Sequence, residues 1–215
     1  MTGQKFRRDD RAVKWTLQSY LFVVVLLGAV VVAAGTVPTD GAQRISGDHQ
    51  HRQIAADVLS TADGSGQLRA GLLYYNASER RWIGADTPPT PGRYTALDRH
   101  PDHPLAPAVA AGLDRRGLAY NLVVEYRTDD GGRARDRVVY QGPPGGRAVT
   151  VTRSVVVTDG MVPAAAPTSP DGDDCTLGEL TGAPGCRSGA YVAPDAAPAS
   201  DRYNVLDVRL TVWST

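Results

Sequence analysis

LAYNLVVEYR, residues 118–127, is the stretch on which the fold class turns. Its even positions are Leu118, Tyr120, Leu122, Val124 and Tyr126, and its odd positions include Asn121, Glu125 and Arg127. Strict alternation carried by aromatic and branched side chains describes a strand with one face buried and the other in water. Thr128-Asp129-Asp130-Gly131-Gly132 then supplies residues that tolerate a positive φ, and Arg137–Gln141 returns as the partner strand. After the Gly142–Gly146 loop, Val149, Val151, Val155 and Val157 share one face of Ala148–Thr158. Near the C-terminus, Tyr203–Trp213 turns Leu206, Val208, Leu210 and Val212 the same way. Between the last two strands, residues 160–200 are dominated by Ala, Pro, Gly, Ser and Asp and read as a poorly packed excursion.

Upstream the period changes. In residues 49–62, Ile54, Ala55, Val58, Leu59 and Ala62 fall at helical spacing and make one apolar stripe, which Asp63-Gly64-Ser65-Gly66 ends. Gln67–Asn76, with its LLYY, reads as a short strand or buried segment, and residues 85–104 as a long loop. Leu105, Val109 and Leu113 recur every four residues and mark a second short helix, with Gly117 as its stop. The expectation is an α+β fold, an antiparallel β-meander packed on helix.

Farther toward the N-terminus, residues 17–37 read LQSYLFVVVLLGAVVVAAGTV and hold no charge. About 20 apolar residues rising 1.5 Å each cover the bilayer's hydrocarbon core. Lys5, Arg7, Arg8, Arg11 and Lys14 precede the run, and basic residues beside a span hold that side in the cytoplasm. A cleaved secretory signal shares the basic start, and Ala33-Ala34-Gly35 resembles a cleavage site, but its apolar part is shorter, about 7–15 residues. The expected organisation is a cytoplasmic basic tail (1–16), a transmembrane helix (17–37), a stalk helix and linker (38–66) and an extracytoplasmic domain (67–215). The protein is expected in the cell membrane, single-pass, with lipid as a partner.

The chain has 215 residues, with 23 basic and 23 acidic side chains. No basic patch dense enough for nucleic acid is visible. Both lysines, Lys5 and Lys14, precede the apolar run, which removes Schiff-base chemistry from the outer domain. The cysteines, Cys175 and Cys186, flank the short turn-rich TLGELTGAPG. In an oxidising compartment two neighbouring cysteines pair, and two ligands are too few for structural zinc.

The sequence carries no recognisable catalytic motif. No phosphate loop ending in GK[ST] and no GxSxG elbow is present. His100-Pro101-Asp102-His103 brings two imidazoles close in sequence, but the flanking prolines favour a solvated loop. Asp171, Asp173 and Asp174 do not fit a calcium loop, which needs spaced acids, a central Gly and a terminal Glu. Asn76-Ala77-Ser78 is an N-glycosylation sequon on the outer side. The expectation is a protein without catalytic residues, cofactor or metal.

The N-terminus resembles the class III signal peptides of archaeal pilins and archaellins. Arg11-Ala12-Val13 resembles their cleavage motif, and Trp15-Thr16-Leu17-Gln18 the start of the pilin helix. Ala12 stands where the usual residue is Gly, Lys14 falls in an apolar position, and Gln18 replaces a frequent Glu. More broadly, the TLQ-led span, AADVL at 55–59, LLYYN at 72–76, RGLAYNLVVEY at 116–126 and RVVYQG at 137–142 resemble an uncharacterised group of pilin-like membrane proteins from halophilic archaea. That resemblance implies a structural or accessory subunit of a type IV pilus-like surface assembly. It implies processing between Ala12 and Val13 and packing against other pilin-like subunits through the N-terminal helix. The alternative is a membrane-anchored domain that binds or senses a ligand.

Overall fold

The computed structural model describes residues 39–85, 93–186 and 189–215. The chain divides into two units, Met1–Gly47 and Asp48–Thr215. The described part of the first is helical. Among the described residues no helix is long and apolar enough to cross a membrane; the run at 17–37 and the Ala12–Val13 junction lie outside them.

Helix α1, Thr39–Gly64, begins earlier than the apolar stripe alone indicates. Its second half buries Ala55, Val58, Leu59 and Ala62, the spacing that lines one helical face. The Ser65 hydroxyl donates to Thr61 O at 2.9 Å, and Gly66 takes a left-handed φ of 76°, which turns the chain into α2, Gln67–Leu73. The first half of LLYY is therefore helical. Leu68 and Leu72 sit one turn apart, both buried, and two leucines at that spacing outweigh a two-residue aromatic signal. Only Tyr75–Asn76 is extended, as β1, pairing antiparallel with β2, Arg81–Trp82. Helix α3, Ala106–Gly112, buries Val109 together with the flanking Leu105 and Leu113. Gly117, with φ 63°, stops the short turn that follows, as expected.

The main sheet comprises β3, Leu118–Arg127; β4, Arg133–Tyr140; β5, Val149–Thr158; and β6, Arg202–Ser214. All its pairings are antiparallel, but the spatial order is β4-β3-β6-β5, which is not a meander. Composition explains the order. β4 opens RARDR and β5 carries TVTRS, and charged, polar strands suit edges, where they discourage pairing with other chains. β3 and β6 carry the fullest apolar alternation and occupy the centre. Their inner residues, Tyr120, Leu122, Val124, Leu206, Val208, Leu210 and Val212, join one core with those of α1, α2 and α3. Helices thus cover one face of the sheet, and the other faces water.

The excursion is not poorly packed. Cys175, Leu177, Leu180, Cys186, Tyr191 and Ala193 all enter the core. Ala164 N donates to Leu73 O at 2.8 Å, and Ala190 N to Ala77 O at 2.9 Å. The Tyr191 hydroxyl reaches Leu72 O at 2.8 Å. A segment without periodicity packs well when its backbone groups find partners, and Tyr191 sets its ring edge-on to Tyr75 of β1 at 5.5 Å. At its centre, α4, Leu177–Leu180, starts with a capping box between Thr176 and Glu179, which satisfies two of the helix's orphan donors.

Candidate functional site

The uncovered face of the sheet holds an open groove of about 320 Å³. Its floor is built by outward positions of three strands: Val123 and Glu125 of β3, Arg135 and Arg137 of β4, Arg209 and Thr211 of β6. Tyr140, Pro143 and Pro144 form a wall. Asn121 is an outward residue that is nevertheless buried. Its Nδ2 donates to Gly142 O at 2.9 Å, and Gln141 N donates to its Oδ1 at 2.9 Å, so this side chain pins the turn that carries the two prolines.

Charge in the groove is unbalanced. Arg209 is paired with Glu125 at 2.6 Å, and Arg133 beside the groove reaches Asp207 at 3.4 Å. Arg135 and Arg137 have no carboxylate partner among the described residues. The Arg137 guanidinium lies 4.7 Å from the Tyr140 ring centroid and that of Arg93 lies 5.9 Å from it, within cation–π range. The ring orients Arg137 and leaves its charge uncompensated. A planar, always-charged guanidinium suits bidentate recognition of oxyanions, and the groove presents two of them, Arg135 and Arg137.

A second cluster lies inside. The loop at 100–103, expected to be solvated, folds inward and buries His103 to 1 % exposure. Leu105 N donates to His103 Nδ1 at 3.2 Å, leaving the proton of the neutral ring on Nε2. Nε2 is buried without a hydrogen-bond partner among the described residues. The ring meets Tyr74 and Tyr94 edge-on at 5.2 and 5.0 Å, and Tyr94 packs against His100 at 4.7 Å. Burial first, and His100 second, lower the His103 pKa from 6.5 to about 4. Tyr94 N donates to Val138 O and Tyr140 N to Tyr94 O, both at 2.9 Å, so the loop is sewn onto β4. The Tyr94 hydroxyl donates to Ile83 O. Edge-on aromatic packing around a neutral imidazole is core architecture. Among the described residues no three His, Cys, Asp or Glu side chains are grouped to hold a metal ion.

The other sequence candidates are dispersed. Asn76 stands in β1, half-buried, with its Oδ1 accepting from Glu79 N at 2.9 Å; Ser78 of the sequon is exposed. Asp171, Asp173 and Asp174 sit together on an exposed turn. Cys175 and Cys186 are joined by a disulfide, with Cα atoms 5.8 Å apart, inside the usual span for such a bond. Replacing both by serine lowers stability by about 2–3 kcal/mol on the chain-entropy estimate. Urea unfolding of that variant beside the oxidised and reduced parent measures it, and three coincident curves would exclude any stabilising role for the bridge.

A model of a family of unknown function, DUF7288, matches residues 11–212. The chain belongs to that family. The DUF7288 match takes in the apolar run at 17–37 and the α+β domain together, so both are parts of the family pattern. No curated protein and no solved structure matches this chain. The groove escaped the strand-by-strand reading of the sequence. Its signal was the RARDR run at 133–137, which sends Arg133, Arg135 and Arg137 to one face, opposite Glu125 in register.

Proposed function

We propose that this DUF7288 protein is a membrane-anchored surface protein of pilin-like design, a structural or accessory component of a type IV pilus-like assembly, without catalysis. One observation carries the reading. The charge-free run at 17–37, led by Thr16-Leu17-Gln18 and preceded by Arg11-Ala12-Val13, stands directly before α1 in sequence, and the second half of α1 packs into an α+β domain. In this design the apolar run lies in membrane lipid and packs against other pilin-like subunits. The basic tail stays in the cytoplasm and the domain lies outside, where a disulfide persists. The resemblance to pilin-like proteins of halophilic archaea supports the same placement.

Mass spectrometry of the membrane-extracted protein tests this at its N-terminus. A mature chain beginning at Val13 is expected. A start at Met1 or Thr2 sinks assembly by the prepilin route, and a start after Ala34 removes the anchor itself. The groove favours a second reading, an anchored binding or sensing domain, which a full-length, unprocessed N-terminus would bring forward.

A further inference from the structure

The groove's two uncompensated arginines have a counterpart on the same molecule. Asp171, Asp173 and Asp174 are exposed and have no ion-pair partner among the described residues. Their turn is held in shape. Ser169 N donates to Asp173 O at 2.7 Å, Gly172 N to Ser169 O at 3.0 Å, and Cys175 N to Pro167 O at 2.9 Å. Gly172 has a left-handed φ of 94°, and the Cys175–Cys186 bridge follows at once. A rigid acidic turn loses little conformational freedom on docking.

The two features lie on different sides of the sheet. The excursion carrying the turn is bonded to α2 and β1 on the covered side, whereas the groove is open on the uncovered one. We propose that the arginine-lined groove receives the Asp171–Asp174 turn of a second copy of this chain. Arg135 and Arg137 meet the carboxylates in charge-assisted, bidentate contacts. The pair is heterologous: the first copy keeps its turn free and the second its groove, so the contact propagates along a row. The inference deepens the assembly reading, on which it rests, by naming a contact between outer domains.

Site-directed photocross-linking in membranes tests it with the full chain. One tagged copy carries benzoylphenylalanine in place of Tyr140, at the groove wall, and a differently tagged copy is intact. Irradiation is expected to give a doubly tagged dimer whose cross-linked peptide contains residues 168–175 of the second copy. Asp171→Lys, Asp173→Lys and Asp174→Lys together in the second copy reduce the yield at least about tenfold, because like charges now face each other. Arg135→Asp and Arg137→Asp in the first copy do the same, and combining the two reversals restores the dimer. No doubly tagged dimer, a cross-link to any other segment, an unaffected yield, or a loss that the double reversal does not restore overturns the proposal. The readout is independent of N-terminal processing. A failed cross-link leaves a Val13 start standing, and a failed Val13 start leaves the cross-link standing.

Discussion

Replacing Trp82 by alanine lowers the free energy of unfolding by about 3–5 kcal/mol. The indole is fully buried and stands edge-on to Tyr75 at 5.2 Å. Its Nε1–H donates to Asp136 Oδ2 at 3.3 Å, so one side chain ties the small β1–β2 hairpin to the inner face of β4. Truncation leaves a cavity that the hairpin backbone cannot collapse to fill. It also strips a donor from a carboxylate whose pKa burial already raises. The damage spreads through the ring contacts beyond it. Tyr75 meets Tyr191 at 5.5 Å, and Tyr191 meets Tyr203 at 6.1 Å, a chain that joins hairpin, excursion and β6.

Domains are stable by only about 5–15 kcal/mol, so the loss is a large share of the whole. Trp82→Phe separates the two causes. It keeps most of the apolar area and removes the hydrogen bond, with an expected cost of about 1 kcal/mol beyond the small change in volume. Urea titrations followed by circular dichroism measure both variants. If Trp82→Ala stays within about 1 kcal/mol of the parent, below the range for such truncations, the hairpin is not part of the cooperative core.

The alternation of β3 and β6 was legible because period two survives any strand order. The order itself was not, because adjacent strands in sequence pair by default. Here two amphipathic strands compete for the centre against RARDR and TVTRS, and burial decides. The burial of His103 is hidden from the sequence for a related reason. Prolines at 101 and 104 report a turn correctly, but they do not report that Tyr94 pairs with β4 and draws the turn inward. The groove was half legible. Alternation within β4 places its arginines on one face, while the uncompensated charge depends on Arg209 of β6 having already taken Glu125, a cross-strand fact that no single segment contains.

Acid reveals the buried histidine as a loss of stability between pH 6.5 and 4. The loss is worth about 3 kcal/mol, because a tenfold change in proton affinity corresponds to about 1.36 kcal/mol. The sign follows from where the proton binds. In the unfolded chain His103 protonates near its ordinary 6.5, whereas in the fold it resists until about 4. Between those values the unfolded state holds more protons, so lowering the pH favours it. Above 6.5 both states carry the neutral ring and the histidine has no effect on the slope; below 4 both are charged and the loss is complete. Asp114 and Asp136, whose pKa values burial raises, work in the opposite sense, since the fold favours their protonated forms. Asp130 and Glu179, held below the usual carboxylate range by hydrogen bonds, add to the loss on acidification. The parent's total slope therefore mixes both senses, and a difference between two proteins isolates the His103 share. His103→Asn keeps an acceptor for Leu105 N–H and cannot titrate. Its stability is offset by a constant, while its loss on acidification is smaller than the parent's by the histidine's share. Parallel stability profiles for the two proteins from pH 7 to 4 would mean that His103 takes up its proton in the fold as readily as in the unfolded chain.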